Sequence, residues 1–159
     1  MIPEKALNRA AALCSKKEYC SQEIQEKLIL WEIPDQEIAK IMSFLHEHNF
    51  LNDTRYAIAY AADKRMLGSW GKLKISLHLR QKGLPSEIIR QALDDLDQEE
   101  YSKTCMELLK QKRKQLNEPD PYQEKGKLIR FAIGRGFEYD LIENCLSRLL
   151  KGQIDDEPA

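Results

Sequence analysis

The chain has 159 residues, enough for one ordinary domain or several small units stacked together. Hydrophobic residues make up 42% and charged residues 32%, so the chain can bury a core and keep a polar surface; a formal net charge of −1 excludes a surface that binds nucleic acid everywhere, though not a local basic patch. Seven glycines and six prolines are few for a turn-rich all-β domain. No run of about 18 apolar residues is present, so no membrane span is expected. MIPEKALNRAAALCSKK lacks a basic start followed by an apolar block, so no secretory signal is expected and the cytoplasm is the default. Cys14, Cys20, Cys105 and Cys145 form no CxxC pair, which points to simple thiols rather than a metal site or disulfide framework.

The first predicted helix runs from about Glu4 to Lys17, with Leu7, Ala10, Ala11 and Cys14 on its apolar side. A second follows, with Ser21 as its cap and Glu23 in its first turn, and carries Ile24 and Leu28. Pro34 opens a third, whose Ile38, Ile41, Met42 and Leu45 recur as i, i+3, i+4, i+7. Asp53 is the expected N-cap of a helix over Thr54 to Leu67, with Tyr56, Ala59, Tyr60 and Leu67 on one side. The next stretch, WGKLKISLHLRQKGLP, alternates like a half-buried strand. Beyond it, Pro85 opens a helix with Ile89, Ala92, Leu93 and Leu96. A long helix follows from about Glu100 to Leu116, then a loop, NEPDPYQ (117–123). Two more helical segments complete the pattern before GQIDDEPA (152–159), expected to be an acidic, disordered tail.

A repeat decides the ambiguous stretch. Ile24, Leu28, Ile33, Ile38, Ile41, Met42 and Leu45 recur 51 residues later as Ile75, Leu79, Leu84, Ile89, Ala92, Leu93 and Leu96. They recur again, 104 residues on, as Leu128, Ala132, Phe137, Ile142, Cys145, Leu146 and Leu149. The relatives of the alternating stretch, SQEIQEKLILWEI and KGKLIRFAIGRGF, do not alternate, and no other run offers a strand to pair with. Residues 71–82 are therefore predicted to be helical. Gly83 and Gly136 fall where such a helix needs a C-terminal glycine. On a helix, Ile75 and Leu79 face the core while Leu73 and Leu77 form a second apolar face, either for packing between repeats or for a partner. The fold class is all-α: three tandem three-helix repeats, 1–52, 53–99 and 100–151, in an expected elongated, curved array.

No catalytic constellation is visible. There is no phosphate loop and no HExxH, and GRG at 134–136 is too short for a nucleotide site. His46 and His48 are alternate residues, which a helix points about 200° apart, so no metal site is expected. From Thr54 to Arg90 the cations are Arg55, Lys64, Arg65, Lys72, Lys74, Arg80, Lys82 and Arg90, against Asp63 and Glu87. They flank Trp70, set between Gly68 and Gly71, as suits phosphate contact or an acidic protein groove. Tyr19 and Tyr122 near the matching points give Trp70 an equal packing reading. KQKRK (110–114) reads as a solvated face.

LNDTRYAIAYAADKR (51–65) is similar to the Leu-x-Asp-x-Arg-Phe/Tyr-Ala segment of the RecX family, and LRQKGLPSEIIRQAL (79–93) and RFAIGRGFEYDLI (130–142) resemble two further segments of it. The resemblance covers about residues 5–150. It implies three three-helix repeats that bind the RecA recombinase, chiefly as its filament on single-stranded DNA, and limit filament growth, ATP hydrolysis, strand exchange and coprotease activity. It implies no enzyme, no cofactor and no membrane, with at most weak direct DNA binding, in a monomer. The expected partner-binding residues are Arg55, Lys64, Arg65, Lys72, Leu73, Lys74, Leu77, Arg80, Lys82, Arg130 and Arg135. Arg55 has an equal reading as a local salt bridge. The family often has proline after the glycine that precedes the middle repeat's second helix; here Lys72 follows Gly71. The alternative is a tandem helix-turn-helix-like DNA-binding protein without a recombinase partner, opposed by the acidic third helices SEIIRQALDDLDQEE and DQEIAKIMSFLHEHN.

Overall fold

The computed structural model describes residues 1–156, with side chains described through Lys151. Nine α-helices and no strand occur among the described residues: α1 (Pro3–Lys16), α2 (Ser21–Leu30), α3 (Asp35–Glu47), α4 (Asp53–Gly68), α5 (Lys72–Gln81), α6 (Ser86–Asp94), α7 (Gln98–Leu116), α8 (Pro121–Gly134) and α9 (Tyr139–Asp156). They fall three to a repeat. Of the apolar positions that define the repeat, all are buried except Met42, Leu93, Leu96 and Leu149, which are half-buried.

The same turn joins the second and third helices of every repeat. In each, one residue takes a left-handed conformation: Glu32 (φ 60), Gly83 (φ 82) and Gly136 (φ 96). The N–H after it reaches back five residues, Ile33 to Leu28, Leu84 to Leu79 and Phe137 to Ala132, at 3.1, 3.3 and 3.2 Å. This is a Schellman closure, and it buries the apolar residue that follows the left-handed one. Glycine supplies the conformation without steric cost in two repeats; the first forces a glutamate into it.

The alternating stretch is helix α5. Ile75 and Leu79 are fully buried, whereas Leu73 and Leu77 are 58% and 52% exposed. Helical periodicity, not alternation, sorts these four leucines and isoleucines.

The chain resolves into two compact units. One comprises Met1–Tyr60 with Leu79–Ala92; the other comprises Ala61–His78 with the chain from Leu93 onward. Repeat one fills most of the first unit, with a core of Ala6, Ala10, Ile24, Leu28, Ile33, Ile38, Ile41, Leu45 and Leu51. Repeat three fills most of the second, with Tyr101, Cys105, Leu108, Leu109, Leu128, Ala132, Phe137, Ile142, Cys145 and Leu146. α4 and α5 each contribute to both units, and α6 falls mainly in the first.

Five local expectations are corrected. The buried side of α4 holds Tyr56, Ala57 and Ala61, while Ala59 is only half-buried and Leu67 is 82% exposed. Cys20, not Ser21, is the N-cap of α2, and the Glu23 carboxylate accepts its N–H at 3.0 Å. Asn52, not Asp53, caps α4, because its Oδ1 accepts from the Arg55 N–H at 2.9 Å. The loop is shorter than 117–123, since Pro121 starts α8 with Asp120 as its cap. α9 runs to Asp156 into the stretch read as a disordered tail; residues 157–159 of that stretch lie outside the described residues.

Candidate partner-binding surface

The residues around Trp70 belong to the second unit. α4 ends at Gly68, Ser69 turns left-handed (φ 54), and the Trp70 N–H closes back on the Lys64 carbonyl at 3.1 Å. This folds the half-buried indole against its own helices. Lys64 Nζ lies 4.8 Å and Lys74 Nζ 4.5 Å from the ring centroid, and the His78 ring is 4.6 Å away at 49°. A Cβ on Gly68 would sit 3.1 Å from the indole, so glycine there leaves room for it. Each cation–π contact contributes about 0.5–1 kcal/mol at a partly exposed ring.

The start of α5 is clasped by the turn between α8 and α9. The Gly71 N–H donates to the Arg135 carbonyl at 2.8 Å, and the Leu73 N–H to the Gly136 carbonyl at 2.9 Å. The Lys72 N–H donates to the Tyr101 hydroxyl at 2.7 Å, and that hydroxyl donates to Glu138. Arg135 Nη2 donates back to the Gly68 carbonyl at 2.6 Å. Gly71 and Gly136 pass so closely that a Cβ on Gly71 would lie 2.2 Å from the Gly136 carbonyl carbon. The first N–H groups of α5 are thus taken by protein acceptors, so this helix start is no phosphate cradle. The same bonds account for Lys72: proline there would remove the donor to Tyr101.

Charge at this helix start runs against the helix dipole. Lys72 and Lys74 occupy the first turn of α5, which has no acidic residue. In the first repeat the residue aligned with Lys74 is Glu23, which closes the capping box of α2. Cations near a helix N-terminus cost a few tenths of a kcal/mol or more. Residues 64–86 hold six lysines and arginines and no aspartate or glutamate. Leu73 and Leu77 stand exposed on the same helix, and Met66 and Leu67 at the end of α4 are 63% and 82% exposed.

The other candidates are distributed differently. Arg55 is held within the first unit: Nε donates to Glu18 at 2.6 Å, and Nη2 to the carbonyls of Asn49 and Phe50 at 3.1 and 3.4 Å. Its neighbours in the LNDTR motif are equally engaged. Leu51 is buried, Asn52 caps α4, and the Asp53 carboxylate accepts from the Ser21 N–H and hydroxyl at 2.8 and 2.9 Å. Lys82 pairs with Glu23 at 3.2 Å. Arg65 donates to the Thr104 hydroxyl at 3.0 Å. Lys72 Nζ sits 4.8 Å from the Tyr101 ring, and Arg135 binds Gly68. Arg80 and Arg130 are exposed.

Trp70 and His78 belong with the lysines though neither stood among the expected contacts; the signal was the i, i+4, i+8 spacing of Trp70, Lys74 and His78. Tyr19, aligned with Trp70, likewise takes Lys17 and Lys27 at 4.7 and 5.7 Å, while Tyr122 is 83% exposed. In KQKRK, Lys112 lies 4.6 Å from the Phe131 ring and Arg113 pairs with Glu124 at 3.0 Å, so only part of that run is a solvated face. His46 bonds to the Ser21 hydroxyl and His48 packs on Phe44, and no cluster of three or more candidate metal ligands exists among the described residues. No helix among the described residues is long and apolar enough to cross a membrane.

Three segments of the chain match known family domains. Residues 6–45, 52–93 and 98–146 match the family models described as the first, second and third three-helix domains of RecX. A regulatory protein RecX of Chlorobaculum tepidum is 32% identical over 91% of this chain and 88% of its own length. That of Clostridium botulinum is 31% identical over 85% of this chain, and that of Clostridium perfringens 31% over 94%. This chain spans 64% and 70%, respectively, of those two relatives. The crystal structure of RecX from Lactobacillus salivarius superposes with a TM-score of 0.86 at 22% identity, covering 92% of this chain and 96% of that one. With three repeats, three matching domains and the shared fold in agreement, the chain belongs to the RecX family of regulatory proteins.

Proposed function

We propose that this protein is a non-catalytic regulator of a RecA-type recombinase that acts by binding its filament on single-stranded DNA. The observation that carries the reading is the charge at the start of α5. Lys72 and Lys74 oppose the helix dipole, and Lys74 stands where the first repeat has a stabilising glutamate. Contacts of Lys72 with the Tyr101 ring and of Lys74 with the Trp70 ring offset that cost, and the positive charge they leave at the surface supports a binding role. Lys64 and Lys74 held on the Trp70 ring, with exposed Leu73 and Leu77, form a cationic surface with an apolar anchor. Such a surface suits the acidic wall of a protein groove. Repeated subunits multiply weak contacts into avidity for filament over free monomer. Of the expected contacts, Lys64, Lys74, Leu73, Leu77, Arg80 and Arg130 carry the binding in this reading. Arg55, Lys82 and Arg135 hold the scaffold.

The test is ATP hydrolysis by the same organism's recombinase on single-stranded DNA, titrated with this protein. Substoichiometric inhibition is expected, with weak binding to bare DNA at about 150 mM salt, where phosphate contacts are screened. The Lys74→Glu/Arg80→Glu double variant should inhibit less and show a shallower dependence on salt. Unchanged inhibition by that variant overturns the surface assignment. Untouched hydrolysis together with tight DNA binding overturns the recombinase reading in favour of a tandem DNA reader.

A further inference from the structure

Tyr19 stands in repeat one where Trp70 stands in repeat two, 51 residues on. Each ring is half-buried just before the second helix of its repeat. Lys64 and Lys74 lie over the Trp70 ring, and Lys17 and Lys27 lie over the Tyr19 ring at 4.7 and 5.7 Å. The cations do not come from aligned positions. Lys17 aligns with Gly68 and Lys27 with His78, while Leu13 and Glu23 stand where Lys64 and Lys74 would be. One ring with two ammonium groups is thus built twice from different places in the sequence. A ring that only packed would need neither cation.

The same side of α2 carries more of this chemistry. Trp31, one turn after Lys27, holds the Arg9 guanidinium of α1 at 4.6 Å from its ring. Leu30, three residues after Lys27 and so on the same side of the helix, is 78% exposed. The carboxylates next to these cations are already engaged. Glu18 pairs with Arg55 at 2.6 Å, and Glu23 pairs with Lys82 at 3.2 Å while it closes the cap of α2. Among the described residues neither Lys17 nor Lys27 forms an ion pair, so their charge stays at the surface.

We propose that this α1–α2 face of repeat one is a second binding surface, at which Lys17 and Lys27, held on the Tyr19 ring beside Leu30, take an acidic protein segment carrying an apolar side chain. The proposal rests on the recombinase reading above and adds to it a contact outside repeat two. The ring holds two long side chains in place, which lowers what is lost in ordering them on binding. A second surface on the same chain raises avidity without strengthening the first. Repeat one, residues 1–52, has eight aspartates and glutamates against six lysines and arginines. That balance repels a long polyanion such as nucleic acid, whereas a short acidic segment reaches the lysines alone.

The experiment measures the protein concentration that halves ATP hydrolysis by the same organism's recombinase on single-stranded DNA, at about 50 and 150 mM salt. Lys17→Gln/Lys27→Gln should need about tenfold more protein than the parent, with a shallower dependence on salt. Glutamine keeps the helix propensity of lysine at position 27, so α2 is retained. Lys17→Arg/Lys27→Arg keeps both charge and ring contact and should match the parent. Lys5→Gln/Lys40→Gln removes the same net charge at exposed positions without a ring contact and should match it too. Parent-like inhibition by Lys17→Gln/Lys27→Gln, or an equal loss in Lys5→Gln/Lys40→Gln, overturns the second surface and leaves the first standing. Tight binding of the parent to a bare single-stranded oligonucleotide, abolished in Lys17→Gln/Lys27→Gln, also overturns it, because the surface then takes phosphate. No inhibition by the parent overturns the recombinase reading and this surface together.

Discussion

Gly71→Ala tests the clasp on α5. The added methyl would lie 2.2 Å from the Gly136 carbonyl carbon, 2.3 Å from its oxygen and 2.3 Å from the Phe137 nitrogen. All three atoms are backbone, so no side chain can swing away. Restoring ordinary contact needs a displacement of roughly 1 Å, because interiors are close-packed. That displacement breaks the Gly71–Arg135 and Leu73–Gly136 hydrogen bonds, now 2.8 and 2.9 Å. Two bonds at about 1 kcal/mol each, added to about 1–3 kcal/mol of overpacking, give a loss of about 3–5 kcal/mol. Urea unfolding followed by Trp70 emission in a Trp31→Phe background reads the second unit directly. Gly134→Ala is the control, since its Cβ meets nothing within 4 Å; it should be neutral or stabilise by up to about 1 kcal/mol. A Gly71→Ala variant within about 1 kcal/mol of the parent would show that the clasp does not hold α5.

Glu32→Gly should stabilise by about 0.5–1 kcal/mol, measured by urea or thermal unfolding, because it relieves a left-handed glutamate against glycine's greater freedom in the unfolded chain. Asp53→Ala should cost about 1–2 kcal/mol in the same assay, since it leaves the Ser21 N–H at the start of α2 without its acceptor and the hydroxyl with His46 alone. Glu23→Gln should cost about 1 kcal/mol at pH 7 and flatten the acid limb of stability. Burial alone would raise the Glu23 carboxyl, but hydrogen bonds from the Cys20 N–H and Lys82, with the Lys82 charge, hold it below its ordinary 4.5. Its contribution is therefore full above about pH 4.5 and is lost as pH falls through the depressed native value. Parent and variant should converge in acid unfolding; a constant gap down to full protonation would refute the assignment. At the basic end, burial would lower Lys82 but Glu23 overrides it and raises its pKa above 10.5. The pair then holds below 10.5 and fails as pH rises past the native Lys82 value.

The LNDTR motif shows how a readable pattern can carry a different meaning from the one it suggests. Arginine two residues after an aspartate is compatible with a partner contact or a local bridge. The fold decides for the bridge, because Glu18, Asn49 and Phe50 converge on Arg55 from 37, 6 and 5 residues away in sequence. Ser21 looked like a cap from its position beside an apolar run. Its hydroxyl serves Asp53 instead, 32 residues on, a pairing no local window contains.

Sequence alone was enough for the helices, the three repeats and the buried faces of the aligned second and third helices, but not for α4, where Leu67 is 82% exposed and Ala57 and Ala61 are buried. These follow from apolar spacing and from three aligned copies that constrain one another, which is why α5 was legible despite its alternation. Gly83 and Gly136 likewise announce their turns, because left-handed backbone selects for glycine. Glu32 does not, and its conformation became visible only once Ile33 was seen buried after the same closure. Tertiary structure alone decided which cations hold the scaffold and which remain on the surface. Charge in a sequence has no direction: Lys82 and Lys74 look alike until Glu23 meets one and the Trp70 ring meets the other. Long-range partners set by packing, rather than any local preference, made that distinction.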